Sequence, residues 1–213
     1  MSNRAGPVGA VLAGGAGQRL GGSKAMVRLN RRPLISYPLE AICRGLGHAV
    51  VVAKMRTELP PLAGISVWIE PDEPLHPLAG LVHALSLAGG RAVLSCPCDL
   101  PLVTPTLIRE LALADLSRAP AVVARAGPRI QPLLGCYGPQ ALPRLAAAMR
   151  EPGGRVTDVV AGLDPELHEV SDPLLLFNVN TPEDLLQASM MVTERRGRRP
   201  RRPAGRDQPN VKS

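Results

Sequence analysis

LAGGAGQRLGGSK, residues 12–24, begins inside the apolar run VGAVLA at residues 8–13 and holds five glycines. Glycine loses more conformational entropy on folding than any other residue, so a glycine cluster indicates that a ligand approaches the backbone closely. Arg19 and Lys24 lie in the same stretch and indicate an anionic ligand. Because the backbone N–H groups of such a loop can line an anion-binding nest, the stretch predicts a phosphate-binding site after the first strand.

Two familiar phosphate-binding motifs do not match this loop. A Walker A loop ends in Gly-Lys-Ser/Thr, whereas here Ser23 precedes Lys24 and Ala25 follows it. A dinucleotide-binding fingerprint reads G-x-G-x-x-G, and the segment that starts at Gly15 has Leu20 at its last position. The loop therefore belongs to neither class.

Apolar runs and amphipathic segments alternate along the chain, and this alternation predicts the fold class. Near-continuous apolar strands are typical of a parallel sheet buried on both faces, and strand–helix alternation is typical of a doubly wound structure. We therefore predict an α/β fold, a Rossmann-like three-layer α/β/α arrangement with a mostly parallel central sheet. The predicted strands are 8–13, 48–53, 65–69, 91–96, 120–125 and 131–137, and the predicted helices are 34–45, 78–89, 104–115, 139–150, 155–162 and 182–192.

Helix-start signals and strand ends place the candidate ligand-binding rim. Thr104 and Thr181 each precede a proline, which is the pattern of a capping hydroxyl before the first helical position, and Thr181-x-x-Asp184 resembles a capping box. In open α/β sheets ligands bind outside the carboxyl ends of the strands. The loops expected at that rim are 14–24, 70–77 and 97–103.

The charge distribution divides the chain into two parts. The whole chain carries a formal charge of +7, but residues 194–213 hold eight Lys/Arg and two Asp/Glu, a net charge of +6, which leaves +1 for residues 1–193. A Pro/Gly/Arg-rich segment without apolar periodicity cannot bury enough surface to order itself. We predict one folded domain at 1–193 and a basic disordered tail at 194–213.

Four stretches in a fixed order resemble one enzyme family. LAGGAGQRLGGSK closely resembles the L-A-G-G-x-x-x-R-[ML]-G-x-x-K signature of nucleotidyltransferases that activate small phosphorylated molecules. PLAGLVHAL at 77–85, CPCDLPLVTPTLI at 96–108 and LFNVNTPEDL at 176–185 narrow the resemblance to the molybdenum cofactor guanylyltransferases. The resemblance implies that the domain at 1–193 is a nucleotidyltransferase domain with a nucleotide-diphospho-sugar transferase-like fold. It also implies transfer of GMP from GTP to molybdopterin, with release of pyrophosphate and dependence on Mg²⁺.

The resemblance assigns roles to individual residues. Asp99 follows the apolar run at 91–96, so its side chain should project from the carboxyl end of a strand, and the resemblance makes it the Mg²⁺ ligand. Arg19 and Lys24 are the further catalytic residues, because they neutralise the triphosphate and the departing pyrophosphate. By the same resemblance the nucleotide-binding residues are Leu12, Ala13, Gly14, Gly15, Lys24, Asp72 and Asp99.

The base contact is expected just after the strand at 65–69. Glu70, Asp72 and Glu73 all lie there, and we favour Asp72. The chain departs from its relatives at Ala53, where a polar residue often contacts the nucleotide, and before Lys24, where an acidic residue is common.

The acceptor that the resemblance implies is large and carries a phosphate and a pterin. Asn178 and Asn180 alternate along an extended segment, so both amides can face one pocket. The resemblance implies that these two residues and Arg155 bind molybdopterin.

Three other functions stay open at this point. Cytidylyl transfer to the same acceptor is one, although relatives with that preference tend to read L-A-A-G where this chain reads LAGG. Sugar-1-phosphate nucleotidylation is disfavoured because no hexapeptide-repeat pattern follows. The third is an interaction protein that uses its basic tail without catalysis. An aromatic content of 2% offers little stacking surface for nucleic acid, so a nucleic-acid partner is not favoured.

The expected partners follow from the resemblance. They are GTP and molybdopterin, and proteins that supply molybdopterin or receive the product, such as molybdoenzymes, are compatible with this function. No run of about 18 apolar residues occurs, so no membrane partner is expected. The N-terminus lacks the apolar core of a signal peptide, which predicts a cytoplasmic protein. We expect a monomer or a weak oligomer.

Overall fold

A seven-stranded sheet lies at the centre of the described part of the molecule. The structure is a computed structural model and describes residues 6–14, 20, 22–150 and 153–197, except the side chains of 196 and 197. The strands are β1 (Val8–Leu12), β2 (Arg28–Leu29), β3 (Arg32–Pro33), β4 (Val50–Lys54), β5 (Ser66–Glu70), β6 (Val93–Pro97), β7 (Ala121–Ala126), β8 (Arg129–Tyr137) and β9 (Glu166–Glu169). The helices are α1 (Ser36–Leu46), α2 (Ala79–Leu87), α3 (Pro105–Ala112), α4 (Leu142–Ala148), α5 (Val156–Ala161) and α6 (Pro182–Gly197).

The order of strands in the sheet is β5-β4-β1-β6-β8-β7-β9. The β5–β4, β4–β1, β1–β6 and β7–β9 pairs are parallel, whereas β8 is antiparallel to both β6 and β7. The predicted mostly parallel sheet is therefore confirmed. The chain leaves β1 toward β4 and β5 and then returns to the other side of β1 with β6. The loops after β1 and β6 consequently face each other at the switch point where α/β sheets bind ligands.

Two apolar layers cover the two faces of the sheet, which gives the predicted three-layer arrangement. All residues of β1, β4 and β6 are buried, because each of these strands has a neighbour on both edges and helices above and below. On one face α1 and α3 pack together, and on the other α2 and α5 each contact α4. Val11 and Ile42 belong to the first core, and Leu12 and Leu81 belong to the second.

Most predicted elements are present, with ends shifted by a few residues. The short β2–β3 hairpin and β9 were not predicted. β9 has the sequence ELHE and lies at an edge of the sheet, where an exposed strand needs no apolar pattern. The helix predicted at 139–150 is a 3₁₀ turn, Pro139–Ala141, followed by α4, since Pro143 has no N–H to continue a helix that begins at 139.

The last helix continues beyond its predicted end at 192. α6 runs to Gly197, so the predicted boundary between domain and tail at 193 lies inside a helix. The Arg195 guanidinium pairs with the Asp172 carboxylate at 2.5 Å, which ties this last part of α6 to the segment before it. Residues 198–213 lie outside the described residues, and the tail stays a prediction.

Both predicted helix caps are formed. The Thr104 hydroxyl accepts a hydrogen bond from the Leu107 N–H at 3.2 Å. At the start of α6, the Thr181 hydroxyl accepts from the Asp184 N–H at 3.1 Å and the Asp184 carboxylate accepts from the Thr181 N–H at 2.9 Å. This reciprocal pair is the predicted capping box. Within the described residues, no helix has the length and apolar character needed to cross a membrane.

Candidate active site

A cavity of about 810 Å³ opens at the carboxyl ends of β1, β4, β5 and β6. The glycine-rich loop, the segment after β5 and the loop after β6 all contribute to its wall, so the three predicted rim loops meet at one place. Its described lining residues include Leu12, Gly14, Lys24, Lys54, Glu70, His76, Gly80, Cys98 and Asp99.

One end of the cavity holds a cluster of polar side chains around Asp99. Asp99 lies two residues after the end of β6 and is only 9% exposed. Its Oδ2 accepts a hydrogen bond from Lys24 Nζ at 2.8 Å, and its Oδ1 accepts from Asn178 Nδ2 at 3.0 Å. The Asp99 carbonyl also accepts from the Val179 N–H at 3.0 Å, so the 178–180 segment is fastened to the loop after β6.

Asn180 completes this cluster through Lys24. Lys24 Nζ donates to Asn180 Oδ1 at 2.5 Å as well as to Asp99. The Asn180 N–H in turn donates to the Asp184 carboxylate at 2.9 Å, and this hydrogen bond is the main reason that the pKa of Asp184 lies below its usual value. The capping box of α6 therefore holds the position of an amide that accepts a hydrogen bond from Lys24, a residue of the cavity wall.

The other end of the cavity contains a buried acidic residue. Glu70 ends β5, is 4% exposed, and has no hydrogen-bond partner for its Oε2 among the described residues. Its carboxylate comes so close to Gly14 that a Cβ at that position would lie 2.0 Å from Glu70 Oε1. Any larger residue at position 14 would therefore displace the Glu70 carboxylate from the position that it has here.

Lys54 supports Glu70 from the end of β4. Its Nζ lies 3.7 Å from Glu70 Oε1 and donates to the carbonyl oxygens of Pro71 and Asp72 at 2.8 and 3.0 Å. Burial raises the pKa of Glu70, and the Lys54 ammonium opposes that shift. Glu70 lines the cavity, and its unpartnered Oε2 has almost no exposed surface, so this oxygen accepts a ligand N–H only when the side chain turns toward the cavity.

Comparisons with known proteins agree on one family. The sequence model of the MobA-like NTP transferase domain matches residues 9–166. A molybdenum cofactor guanylyltransferase of Cereibacter sphaeroides is 32% identical over 191 residues, which cover 86% of this chain and 96% of that protein. A molybdenum cofactor guanylyltransferase of Shewanella pealeana is 34% identical over 182 residues, 83% of this chain and 90% of that protein. The chain belongs to the molybdenum cofactor guanylyltransferase family.

A solved structure supports the fold of this family. Molybdopterin-guanine dinucleotide biosynthesis protein A from Archaeoglobus fulgidus superposes with a TM-score of 0.71 at 23% identity, over 87% of this chain and 98% of that one. The chain is accordingly a nucleotidyltransferase with the nucleotide-diphospho-sugar transferase fold, as its sequence predicted.

Within this guanylyltransferase fold, the structure brings together six of the predicted residues. Leu12 and Gly14 line the cavity at the end of β1, and Lys24, Asp99, Asn178 and Asn180 are linked by the hydrogen bonds given above, with Lys24 and Asp99 on the cavity wall. Ala13 is fully buried, with its methyl group in the core beneath α1. The other two predicted site residues of the glycine loop, Gly15 and Arg19, lie outside the described residues.

Asp72 and Arg155 neither line the described cavity nor belong to the cluster of side chains around Asp99. The Asp72 carboxylate is about half exposed and lies 3.7 Å from the Arg56 guanidinium. Arg155 precedes α5, is strongly exposed and lies 3.9 Å from the Asp158 carboxylate. Glu70 and Lys54 line the cavity, whereas Asp72 and Ala53 do not.

Gln131 is a further polar residue that the motifs did not indicate. It lies on β8, and its Nε2 donates to Asn178 Oδ1 at 2.7 Å. No local pattern could have identified it, since its contact joins residues 47 positions apart along the chain.

Proposed function

We propose that this protein transfers GMP from GTP to molybdopterin, which forms the molybdopterin guanine dinucleotide cofactor and pyrophosphate. The observation that carries the proposal is the linkage of Lys24, Asp99, Asn178 and Asn180 at one end of a cavity whose other end holds the unsatisfied Glu70 carboxylate. The ammonium group of Lys24 at the first end suits a negatively charged phosphate, and the carboxylate of Glu70 at the second end suits the N–H groups of a base. The names of the two curated relatives support the choice of GTP and molybdopterin.

The reaction requires positioning more than acid–base chemistry. A phosphate oxygen of molybdopterin attacks the α-phosphorus of GTP, a new P–O bond forms, and the bond from the α-phosphorus to the bridging oxygen breaks to release pyrophosphate. A phosphate monoester is already largely ionised at neutral pH, so no protein group has to remove a proton from the nucleophile. The protein holds the reacting groups in line and neutralises their charge.

Lys24 is the described cation best placed for this task. Its ammonium group lies on the cavity wall and reaches both Asp99 and Asn180. When a triphosphate enters, the same three-donor ammonium group can turn to phosphate oxygens, because Lys carries no fixed donor geometry. We assign Arg19 to the same charge neutralisation on the strength of its motif.

Asp99 has the chemistry of a magnesium ligand. Mg²⁺ takes oxygen donors and is typically bound by one or two carboxylates together with substrate phosphates, and no described group of three or more His, Cys, Asp or Glu side chains provides an all-protein metal cage. A single buried carboxylate beside a phosphate site fits that pattern. Bound there, Mg²⁺ would neutralise negative charge on the triphosphate and on pyrophosphate.

Glu70 accounts for the choice of base. Guanine presents an amino group and a ring N–H on one edge, and the unsatisfied Glu70 Oε2 can accept from them. Cytosine offers only its exocyclic amino group as a donor. We therefore propose that Glu70 contacts the base, with Asp72 as the alternative that the sequence favoured, and that Leu12, Ala13, Gly14 and Gly15 lie against the nucleotide.

The acceptor belongs on the side of Asn178 and Asn180. Both amides lie beside Lys24 and Asp99, on the segment that leads into α6, so a phosphate placed among them would be next to the α-phosphorus. We assign Arg155 to the distal part of molybdopterin.

The test measures Mg²⁺-dependent release of pyrophosphate from GTP, and in parallel from CTP, with molybdopterin-loaded acceptor protein present. We expect release from GTP, none from CTP, and none without acceptor. Release from CTP alone would overturn the base assignment and leave nucleotidyl transfer intact. Release from neither nucleotide would overturn the proposed function.

A further inference from the structure

Gln131 stands at the end of a chain of three hydrogen-bonded side chains. Gln131 Nε2 donates to Asn178 Oδ1 at 2.7 Å, and Asn178 Nδ2 donates to Asp99 Oδ1 at 3.0 Å. Gln131 does not line the described cavity, and none of the recognised motifs contains it. Its influence on the reaction would therefore have to pass through Asn178.

The direction of the chain is fixed by which atoms can donate. A carboxylate has only acceptors, so Asn178 must present its Nδ2 group to Asp99. Its Oδ1 then faces Gln131, which must present Nε2 rather than its own oxygen. Without that donor Asn178 Oδ1 has no partner, so the amide keeps only its hydrogen bond to Asp99 and is free to tilt away from the position that the structure shows.

β8 is built to hold Gln131 at this point. After Gln131 the regular pairing of the strand is interrupted. The carbonyl oxygens of the next two residues accept hydrogen bonds from two buried hydroxyl groups instead. Ser95 Oγ donates to the Leu133 carbonyl at 2.8 Å, and the Tyr137 hydroxyl donates to the Pro132 carbonyl. Four residues beyond Gln131, a Cβ at Gly135 would lie 2.5 Å from the Val122 carbonyl oxygen, so β7 and β8 approach too closely there for any side chain.

We infer that Gln131 is a positioning residue for the metal-binding carboxylate. By holding the Asn178 amide in one orientation, it keeps a donor on Asp99 Oδ1 and leaves the geometry of Oδ2 fixed toward the cavity. This inference rests on the proposed function, because it assumes that Asp99 carries the metal of a metal–GTP complex. Loss of a residue that orients a metal ligand typically lowers metal affinity or activity about 10–100-fold.

The experiment measures Mn²⁺ affinity by electron paramagnetic resonance in the presence of a GTP analogue with a methylene bridge between the α- and β-phosphates. We expect Gln131→Met, which keeps the length of the side chain and removes the donor, to weaken Mn²⁺ binding about 10-fold. Gln131→Ala provides a second variant should the first fail to fold. Gln140→Met is the matched control, because Gln140 is exposed and its amide donates to the Leu116 carbonyl, outside the cavity.

A double-mutant cycle separates orientation of the amide from general packing. In an Asn178→Ala background the amide is gone, so Gln131→Met should cause no further loss of Mn²⁺ affinity. An equal loss in both backgrounds, or unchanged affinity in the single variants, would overturn the inference.

Nuclear magnetic resonance gives a readout that packing alone would not change. The Asn178 side-chain amide, assigned by its absence from Asn178→Ala, should give one sharp pair of signals in the wild type and an exchange-broadened pair in Gln131→Met. An unaltered pair in Gln131→Met would contradict the inference.

Asp99→Ala distinguishes the two levels of the argument. If Asp99→Ala abolishes Mn²⁺ binding while the Gln131 variants bind normally, the positioning role fails and the proposed function stands. If Asp99→Ala itself leaves Mn²⁺ binding unchanged, the metal assignment fails first.

Discussion

The two ends of the cavity contrast in how their charges are satisfied. At the phosphate end, both oxygens of Asp99 are hydrogen-bonded and each neighbouring side chain has a defined partner. At the base end, Glu70 is buried with one oxygen unsatisfied, and its counter-ion Lys54 lies 3.7 Å from the other oxygen while donating to two carbonyls. The first end is fully hydrogen-bonded, whereas at the second Glu70 Oε2 has no partner among the described residues. We propose that binding strength and positioning come from the first end and base selectivity from the second.

Removal of Asp99 should have the largest effect. Loss of one preorganised group typically lowers the rate about 10²–10³-fold. We expect Asp99→Ala to lower turnover by more than this, because it removes both the proposed metal ligand and the hydrogen-bond partner of Lys24 and Asn178. Thermal unfolding should show a folded protein, and Asp115→Ala, which removes an exposed carboxylate, should retain wild-type turnover. Retained activity in Asp99→Ala would place the metal elsewhere.

Lys24→Met should lower kcat by about 10²–10³-fold, since one preorganised cation beside the triphosphate is lost. The discrimination between GTP and CTP should stay unchanged, because Lys24 acts at the phosphate end. A steady-state comparison of both nucleotides checks this. A change in base preference with little loss of turnover would break the division between the two ends.

Glu70→Gln should reduce the preference for GTP over CTP by about 1–3 kcal/mol, the typical value of a good base contact. Asp72→Asn is the matched control, with an exposed carboxylate next along the chain. If Asp72→Asn alters the preference and Glu70→Gln does not, the residue favoured by the sequence is the base contact after all. The ratio of kcat/KM values for the two nucleotides is the measurement.

The pH dependence of GTP binding sharpens the same contrast. Burial raises the pKa of Glu70, so its acceptor form is present above that raised pKa and is lost as the pH falls through it. We therefore expect the KM for GTP to rise on acidification at a higher pH than an ordinary carboxyl group would cause. The Glu70→Gln profile should lack this step, and an identical profile in both proteins would contradict the assignment.

Asp184 should give the smallest effect, one of stability rather than of chemistry. Hydrogen bonds from the Asn180 and Thr181 N–H groups lower the pKa of its carboxyl group. Its contribution to stability is therefore complete above the pKa of the unfolded carboxyl and is lost as the pH falls through the folded pKa. Urea unfolding from pH 6 to pH 3 should show the wild type losing more stability than Asp184→Asn. Parallel loss in both proteins would contradict this expectation.

The sequence was sufficient to predict which side chains meet around Asp99, but not that Glu70 lines the cavity and Asp72 does not. Lys24, Asp99, Asn178 and Asn180 lie in motifs directly after strands or before a capped helix, so their positions follow from where those elements end. Glu70 and Asp72 are two residues apart, so in an extended strand both side chains would lie on the same face of the sheet. The choice between them depends on whether β5 ends at 70 or continues to 72. Strand ends are the least predictable part of an element, and Pro71 turns the chain at this one.

Gln131 could not be found from the sequence for a different reason. Its partner is reached only through the pairing of β8 with β6, which depends on the order of strands in the whole sheet. The same limit applies to β9, an edge strand whose residues have no apolar alternation.

The direction of β8 has a consequence for how this architecture can vary. The strands parallel to β6 have their last residues at this edge of the sheet. Because β8 runs antiparallel to β6, its first residues lie there instead, and Gln131 is one of them. The tight hairpin between β7 and β8, at Gly127 and Pro128, consequently lies at the same edge of the sheet. Lengthening or shortening this hairpin would remodel the entrance for the acceptor while the interior strands keep their register.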